Sequence, residues 1–300
     1  MSGRATKSRF GGVMRPAHHV VERTSVMGLV ERLYAASPPL RRAVYRFWYH
    51  FTARFDRRNV ARFANYGYAE VDPGARALAL ESADEPDRLC IQLYHHVAAA
   101  VDLAGRDVLE IGSGRGGGAD YIARYLKPRS TVGVDTNVRA IQASRRHYRV
   151  PGLRFGRGDS ESLPFAAESF DAVVNVESSH CYGSVMRFLS EVRRVLRPGG
   201  YLLLADFRAN SAAGRMRQQF EAAGFVVERE TGITPNVFRA LELDNERKLD
   251  LIHKHVPTLF RAVFCQFAAT SGTPTWEKFR LGRWEYLSFV LRKPGISSSG

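Results

Sequence analysis

The sequence has little cysteine and lacks a long apolar run. Its 300 residues include three cysteines, and no two of them have the Cys-x-x-Cys spacing of a zinc or redox motif. Such sparse cysteine favours a reducing compartment and argues against a disulfide framework. No stretch of about 18 apolar residues is present, so we expect no membrane-spanning helix. Residues 1–12 lack an apolar core behind their basic residues, and we therefore expect no secretory signal.

Acidic residues are fewer than basic ones, and the imbalance is concentrated near the N-terminus. The chain carries 44 Lys and Arg against 30 Asp and Glu, a net charge of +14. Thirteen of the basic residues but only three of the acidic ones fall within residues 1–62. A solvated helix face is the plainest interpretation. The alternatives are transient contact with a membrane surface, with an acidic carrier protein or with nucleic acid. We expect a cytoplasmic protein, with peripheral membrane contact as the open alternative.

The pattern of apolar residues divides the chain into segments. We expect a disordered basic tail at 1–25, a helical lid at 26–85, an alternating core at 86–234, a helical insertion at 235–275, and a last strand with its tail at 276–300. Strands are predicted at 107–111, 131–135, 153–157, 170–176, 201–207, 224–230 and 284–291. Their alternation with helices predicts an α/β, doubly wound, seven-stranded and mostly parallel sheet.

A glycine-rich turn separates the first predicted strand from the helix that follows it. The turn reads Glu110-Ile-Gly112-Ser-Gly114-Arg-Gly116. Glycines allow a tight backbone turn and let a ligand approach the chain closely. On its own, this pattern also fits nicotinamide-dependent dehydrogenases.

Two acidic residues at later strand ends distinguish the possible cofactors. Asp135 ends the second predicted strand, 23 residues beyond Gly112, where its carboxylate can accept from both hydroxyls of a ribose. Asp159 follows the end of the third predicted strand and can accept from an adenine amino group. A dehydrogenase would use Asp135 but would leave Asp159 without a role.

These motifs together resemble the ordered motifs of class I S-adenosylmethionine (SAM)-dependent methyltransferases. The resemblance rests on residues 110–118, Asp135 and residues 158–165, 169–171 and 196–201. It implies that the glycines pass under the methionine moiety, Glu110 orients the loop and the amino group, Asp135 holds the ribose, and Asp159 with Ser160 holds the adenine. The residues expected to contact SAM are Glu110, Gly112, Gly114, Gly116, Asp135, Thr136, Asp159, Ser160 and Asn175.

Candidate catalytic residues follow the fourth and fifth predicted strands. Methyl transfer mainly requires alignment and exclusion of water, but an alcohol acceptor also needs a base. His180 lies just past the fourth strand and titrates near neutrality, and Asp206 ends the neighbouring fifth strand. This pattern resembles small-molecule O-methyltransferases of this class, which often place a His and an Asp at these two positions. The alternatives are a packing role for His180 and a helix cap for Asp206. His95 is the second candidate base, and we expect no metal.

A longer match resembles the phthiotriol/phenolphthiotriol dimycocerosate methyltransferases and related actinobacterial polyketide O-methyltransferases. It rests on residues 83–88, 93–95, 112–118, 151–153 and 175–182, and covers about residues 40–292. The first 35 or so residues have no counterpart. The resemblance implies a hydrophobic lipid or polyketide acceptor that is methylated on a hydroxyl group.

Aromatic residues before and within the core are candidates for lining an acceptor pocket. Ordinary packing is the alternative for each of them. They are Tyr45, Trp48, Tyr49, Tyr66, Tyr68, Tyr94 and Tyr182.

Other functions remain open at this point. One is methylation of a carbon atom on a sterol- or quinone-like acceptor, and another is SAM binding without catalysis, which the presence of His180 and Asp206 disfavours. Nucleic-acid methylation is also disfavoured, because Asn175-Val-Glu-Ser stands where an Asn/Asp-Pro-Pro-Tyr motif is typical of that activity.

Overall fold

A computed structural model describes residues 62–72, 74 and 76–295, together with Ser37. The predicted basic tail lies outside the described residues, and so does nearly all of the predicted helical lid before residue 62, together with the predicted membrane contact. So do the predicted acceptor-lining residues Tyr45, Trp48 and Tyr49. Among the helices in the described part of the chain, none combines the length and the apolar character needed to cross a bilayer.

The described chain is an alternation of strands and helices. The strands are β1 (Asp107–Ile111), β2 (Ser130–Asp135), β3 (Leu153–Arg157), β4 (Phe170–Val176), β5 (Leu196–Ala209), β6 (Val226–Gly232) and β7 (Trp284–Arg292). The helices are α1 (Arg88–Ala98), α2 (Gly117–Tyr125), α3 (Val138–His147), α4 (Val185–Val195), α5 (Asn210–Ala222), α6 (Thr234–Leu243), α7 (Asn245–His255), α8 (Thr258–Phe267) and α9 (Pro274–Arg280).

The strands form one seven-stranded sheet in the order β3-β2-β1-β4-β5-β7-β6. β7 is antiparallel to both of its neighbours, and the pairs from β3 through to β5 are parallel. This confirms the predicted fold class. The chain leaves β1 in one direction for β2 and β3 and returns to β4 on the other side of β1. A crevice for ligands therefore opens at the carboxyl ends of β1 and β4, where the strand order reverses.

Alternating apolar residues bury both faces of the sheet. Val108 packs with Leu93 of α1 on one face, whereas the next residue, Leu109, packs with Phe188 and Leu189 of α4 on the other. The two-residue period of a strand sends consecutive side chains to opposite faces. Each fully buried Leu or Phe contributes about 1.5–3 kcal/mol to stability. The sheet is thus a rigid base that positions the loops at its carboxyl edge.

The predicted bounds of β1, β3 and β4 are confirmed residue for residue. β5 is longer than predicted, because Leu196 already pairs with Phe170 before the ladder is interrupted and resumes at Tyr201. β6 starts two residues later than predicted. The amides of Gly224 and Phe225 instead close the end of α5, and Gly224 has a φ of +77°.

The described residues between 62 and 80 have no regular secondary structure and run between α1 and the helices that precede β7. The Tyr68 amide donates to the Leu89 carbonyl at 2.9 Å, and the Ala69 amide donates to the Asn236 carbonyl at 3.1 Å. Arg62 binds Asp84 and Asp120 at 2.8 and 3.2 Å. These bonds join the segment to the core on one side and to α6 on the other.

Candidate active site

A cavity of about 710 Å³ lies at the carboxyl edge of the sheet. Its polar walls come from the loop after β1 and from the residues that follow β2, β3 and β4. α7 and α8 supply five apolar side chains together with Arg247, Lys248, His255 and Gln266. The predicted site residues that line it are Gly112, Gly114, Asp135, Thr136, Asp159, Ser160, His180, Tyr66, Tyr94 and Tyr182. The fold thus brings most of the predicted residues within the described chain to one space.

The glycine-rich turn is held against the end of β2. The amides of Gly112 and Ser113 both donate to the Val134 carbonyl, at 2.9 and 3.0 Å. Gly112 has a φ of +78°, and a Cβ there would lie 2.5 Å from Ser178 Oγ. A side chain at this position would be both strained and crowded. Gly116 does not line the cavity: its φ is +84° and its amide closes the turn onto the Ser113 carbonyl, so it shapes the turn instead.

Glu110 is fully buried beneath this turn. Its Oε1 accepts from the Tyr94 hydroxyl at 2.6 Å, while Oε2 has no hydrogen-bond partner. Burial raises the pKa of Glu110 to about 7. A buried carboxylate oxygen without a donor is costly, and a cationic amino group would satisfy it. The turn therefore fits the amino-acid end of SAM, although Glu110 itself does not form the cavity surface.

The Asp135 carboxylate lines the cavity and also accepts hydrogen bonds from two backbone amides. Its Oδ2 accepts from the Gly114 amide at 2.9 Å and its Oδ1 accepts from the Asn137 amide at 2.7 Å. The carboxylate therefore connects the glycine-rich turn to the start of α3, a structural role that the sequence did not reveal. The Gly158 amide donates to the Asp135 carbonyl at 3.1 Å, which brings the ends of β2 and β3 together. Asp159 consequently lines the same wall.

Asn175 lies behind the cavity wall rather than on it, contrary to its predicted contact with SAM. The side chain is fully buried, and its Nδ2 donates to the last carbonyl of β1, that of Ile111, at 2.9 Å. The same nitrogen lies 2.7 Å from Ser178 Oγ and 2.8 Å from the Tyr182 hydroxyl. Through these contacts Asn175 supports the turn and positions Tyr182, while its buried Oδ1 has no hydrogen-bond partner in the described chain.

His180 and Asp206 form a hydrogen-bonded pair. His180 lies in a 3-10 turn (Ser179–Cys181) after β4, and its Nδ1 is 2.8 Å from Oδ1 of Asp206. Oδ2 of Asp206 accepts from the His180 amide at 2.9 Å and from the Ser179 hydroxyl at 2.6 Å. His180 lines the cavity, whereas Asp206 is fully buried behind it. Asp206 therefore orients the imidazole without reaching a ligand itself.

The protonation of this pair follows from its surroundings. Burial opposes ionisation of Asp206, yet Arg208 at 3.1 Å and His180 hold the pKa of Asp206 well below its usual range. Burial alone would lower the pKa of His180, but Cys181 and the Asp206 carboxylate raise the pKa above its usual value. The Asp206 carboxylate therefore stabilises the imidazolium that forms when His180 accepts a proton.

Glu177 is a site residue that the sequence analysis missed. It lines the cavity one residue beyond β4, with a φ of +46°, and its Oε1 accepts from the Tyr66 amide and the Tyr286 hydroxyl, both at 2.8 Å. Burial raises the pKa of Glu177 to about 7. The sequence signal that could have indicated Glu177 was a charged residue directly after an apolar strand, at the edge where ligands bind. Its partners, Tyr66 and Tyr286, are too distant in sequence to be found this way.

Two further predictions about side chains differ from the structure. His95 does not line the cavity, although its neighbour on α1, Tyr94, does. The Nδ1 atom of His95 lies 2.7 Å from the Tyr121 hydroxyl instead. Its predicted role as the alternative base is therefore not supported. Tyr68 is also absent from the cavity wall and stacks on His96, with the ring centroids 4.7 Å apart.

Among the described residues, no group of three or more His, Cys, Asp and Glu is placed to hold a metal ion.

Comparison with known proteins identifies the family. A family model described as a methyltransferase domain matches residues 109–204. The phthiotriol/phenolphthiotriol dimycocerosates methyltransferase of Mycobacterium leprae is 38% identical over 259 residues, which cover 86% of this chain and 95% of that protein. The fatty-acid O-methyltransferase of Mycolicibacterium smegmatis is 36% identical over 246 residues, covering 82% of this chain and 88% of that protein.

A solved structure shares the fold. Geranyl diphosphate C-methyltransferase from Streptomyces coelicolor A3(2), in complex with S-adenosyl-L-homocysteine, superposes with a TM-score of 0.58 at 18% identity, covering 82% of this chain and 98% of that one. The fold, the glycine-rich turn and the extensive similarity agree in their assignment. The chain is a SAM-dependent methyltransferase and belongs to the family of the phthiotriol/phenolphthiotriol dimycocerosates methyltransferases.

Proposed function

We propose that this enzyme transfers the methyl group of SAM to a hydroxyl group of a hydrophobic lipid or polyketide-type molecule. The observation that carries the proposal is His180, which lines the cavity while Asp206 holds its Nδ1 from behind. Because Asp206 engages Nδ1, we assign proton exchange with the acceptor to Nε2. The similarity to enzymes named for dimycocerosate lipids and fatty acids supports a lipid-type acceptor.

The polar wall of the cavity would hold SAM. Glu110 would stabilise the ammonium group from beneath the glycine-rich turn, Asp135 would receive the ribose hydroxyls, and Asp159 with Ser160 would receive the adenine. SAM supplies a methyl group on a sulfonium centre. The neutral thioether that leaves needs no acid. The task of the protein is therefore to align the acceptor oxygen and to exclude water.

The apolar wall would hold the acceptor. Leu251 and Ile252 of α7 and Phe264 and Phe267 of α8 line the cavity on the side of the insertion. Burial of an alkyl chain against such side chains contributes about 0.8 kcal/mol for each CH₂ group. A cavity with an apolar wall and a histidine at its rim suits a long molecule with one reacting oxygen.

The proposal is tested with His180→Ala. We expect turnover to fall about 10²–10⁴-fold, because the acceptor hydroxyl loses its base. SAM affinity, measured by calorimetry, should stay within about twofold, because the polar wall is unchanged. Turnover is measured as release of S-adenosylhomocysteine with long-chain alcohols and hydroxylated lipid extracts, and mass spectrometry locates the added methyl group.

Asp206→Asn serves as the matched variant, because it keeps the shape of the side chain but removes its charge. We expect it to lower the pKa of His180 and to shift the pH dependence of turnover toward lower pH. Unchanged turnover in His180→Ala would remove His180 from the mechanism. A methyl group found on carbon would contradict O-methylation.

A further inference from the structure

Lys248 on α7 is a buried cation in the cavity wall without a hydrogen-bond partner. The residue is 9% exposed and lines the cavity, and no hydrogen bond reaches its Nζ within the described chain. Its nearest acidic oxygen is Oδ2 of Asp244 at 3.8 Å. Both carboxylate oxygens of Asp244 already accept from Arg247, at 2.6 and 2.8 Å. Within the described chain, the ammonium group therefore has one carboxylate at 3.8 Å, which it shares with Arg247, and no hydrogen bond.

An uncompensated buried ammonium group is costly. Burial lowers the pKa of Lys248, and the charges of Asp244 and Glu177 offset this effect only in part. A methionine or leucine at this position would complete the apolar wall at lower cost. The cost is offset if a ligand supplies an oxygen atom that the ammonium group can bind. An unpartnered cation that faces a cavity therefore points to an anionic group on the ligand.

Lys248 belongs to the acceptor side of the cavity. Its Nζ lies 5.9 Å from the centroid of the Tyr66 ring, which in turn lies 5.4 Å from the ring of Phe207. The Phe207 ring is 4.4 Å from that of His180. This series of contacts connects the ammonium group to the proposed base along one wall. An acceptor that places its reacting oxygen at His180 would thus extend past Lys248.

We propose that Lys248 recognises a carboxylate on the acceptor, so that the substrate is a long-chain molecule carrying a carboxylate together with the oxygen that is methylated. The inference rests on the proposed O-methyltransferase function and narrows its substrate class. The carboxylate would bind the ammonium group by a charge-assisted hydrogen bond, while the alkyl chain packs against α7 and α8.

The test measures binding of palmitic acid and cetyl alcohol, which differ in the head group and share the chain length. Each is titrated below its aggregation limit into protein saturated with S-adenosylhomocysteine. We expect the wild-type enzyme to bind palmitic acid about tenfold more tightly than cetyl alcohol, and Lys248→Met to lose this preference. Lys248→Arg should retain part of it, because it keeps the positive charge.

Lys254→Met is the matched control, because Lys254 lies on the same helix but is exposed and paired with Asp250 at 2.6 Å. It should bind both ligands like the wild-type enzyme. We expect Lys248→Met to fold with a melting temperature at or above that of the wild type, because it removes a buried charge. Lys248→Gln is the second variant if the thioether perturbs packing.

Three results would overturn the proposal for Lys248. The first is a Lys248→Met variant that still prefers palmitic acid, and the second is an equal loss of affinity for both ligands. The third is loss of S-adenosylhomocysteine affinity, which would assign the ammonium group to the cofactor. The proposed function has a separate test: it fails if the wild-type enzyme methylates carbon or if His180→Ala keeps full turnover, whatever Lys248 binds.

Discussion

Glu110 and Glu177 occupy the ends of two adjacent strands and invite comparison. Both are buried, and burial raises the pKa of each to about 7. Each accepts a hydrogen bond from a tyrosine hydroxyl: Glu110 from Tyr94 at 2.6 Å and Glu177 from Tyr286 at 2.8 Å. Glu110 lies under the glycine-rich turn and keeps one oxygen unpartnered, whereas Glu177 also accepts from the Tyr66 amide. The same chemical unit thus appears once on the cofactor side and once on the acceptor side.

The two sides differ in how the chain builds them. The cofactor side consists of residues 110–118, 135–137 and 158–161, which follow successive strands and are joined by backbone hydrogen bonds. The acceptor side combines residue 66 with side chains of α7, α8 and β7, more than a hundred residues further along the chain. We therefore expect substitutions on the cofactor side to act on SAM affinity and those on the acceptor side to act on the acceptor.

The largest effect on the cofactor side should come from Gly112→Ala. The new Cβ would lie 2.5 Å from Ser178 Oγ, and the backbone φ of +78° disfavours any side chain. We expect SAM affinity, measured by calorimetry, to fall at least about 100-fold. If Gly112→Ala bound SAM with unchanged affinity, the turn would not approach the cofactor closely.

Gly214→Ala is the control for this substitution. Gly214 is an exposed position of α5 with open space around it. The change should leave SAM affinity unaltered and stabilise the helix by about 0.5–1 kcal/mol, seen as a higher melting temperature.

The pH dependence of SAM binding should separate the two glutamates. The pKa of Glu110 is raised from 4.5 to about 7, so the unliganded residue is mostly protonated at pH 5.5, whereas the SAM ammonium favours the carboxylate. SAM affinity should therefore rise about tenfold between about pH 5.5 and 7. Calorimetry at these two pH values measures the change.

Glu110→Gln and Glu177→Gln are the paired variants for this measurement. The first should bind SAM weakly and with little pH dependence, because the titrating group beneath the glycine-rich turn is gone. The second should retain the wild-type pH dependence, because Glu177 lies on the acceptor side. Loss of the pH dependence in Glu177→Gln instead would contradict the division of the cavity into two sides.

The same raised pKa values have a consequence for stability. Because the folded-state pKa of each glutamate exceeds its unfolded value, the stability that they contribute is fully present below about pH 4.5 and is lost as the pH rises through about 7. Ligands that supply a positive charge or a donor to either carboxylate should restore part of it.

Local sequence predicted the cofactor side far better than the acceptor side. The bounds of β1, β3 and β4 and the placement of Asp135 and Asp159 could be predicted, because each depends on a short apolar run that ends in a turn. Sequence order also indicated that His180 and Asp206 meet, since parallel neighbours end at one edge.

The remaining site features depend on contacts between distant parts of the chain. Lys248 and Glu177 acquire their surroundings only when α7 and Tyr66 pack over the sheet. Asn175 was misplaced for a related reason. Its position at a strand end was predicted, but the direction of its amide is determined by the Ile111 carbonyl on the neighbouring strand. Periodicity gives the face of a strand, not the partner that a polar side chain finds.

The smallest but most selective effects should come from the two tyrosines. Tyr94→Phe removes the donor to Glu110, and Tyr286→Phe removes the matching donor to Glu177. Each change costs about 1 kcal/mol for the lost hydrogen bond, which corresponds to about fivefold in an equilibrium constant. Tyr94→Phe should weaken SAM binding by about that factor and leave the KM of the acceptor unchanged. Tyr286→Phe should raise the acceptor KM about fivefold and leave SAM affinity unchanged. Because the two variants remove the same group from the same kind of partner, a general loss of stability would affect both ligands alike, and such a result would reject the separation of the two sides.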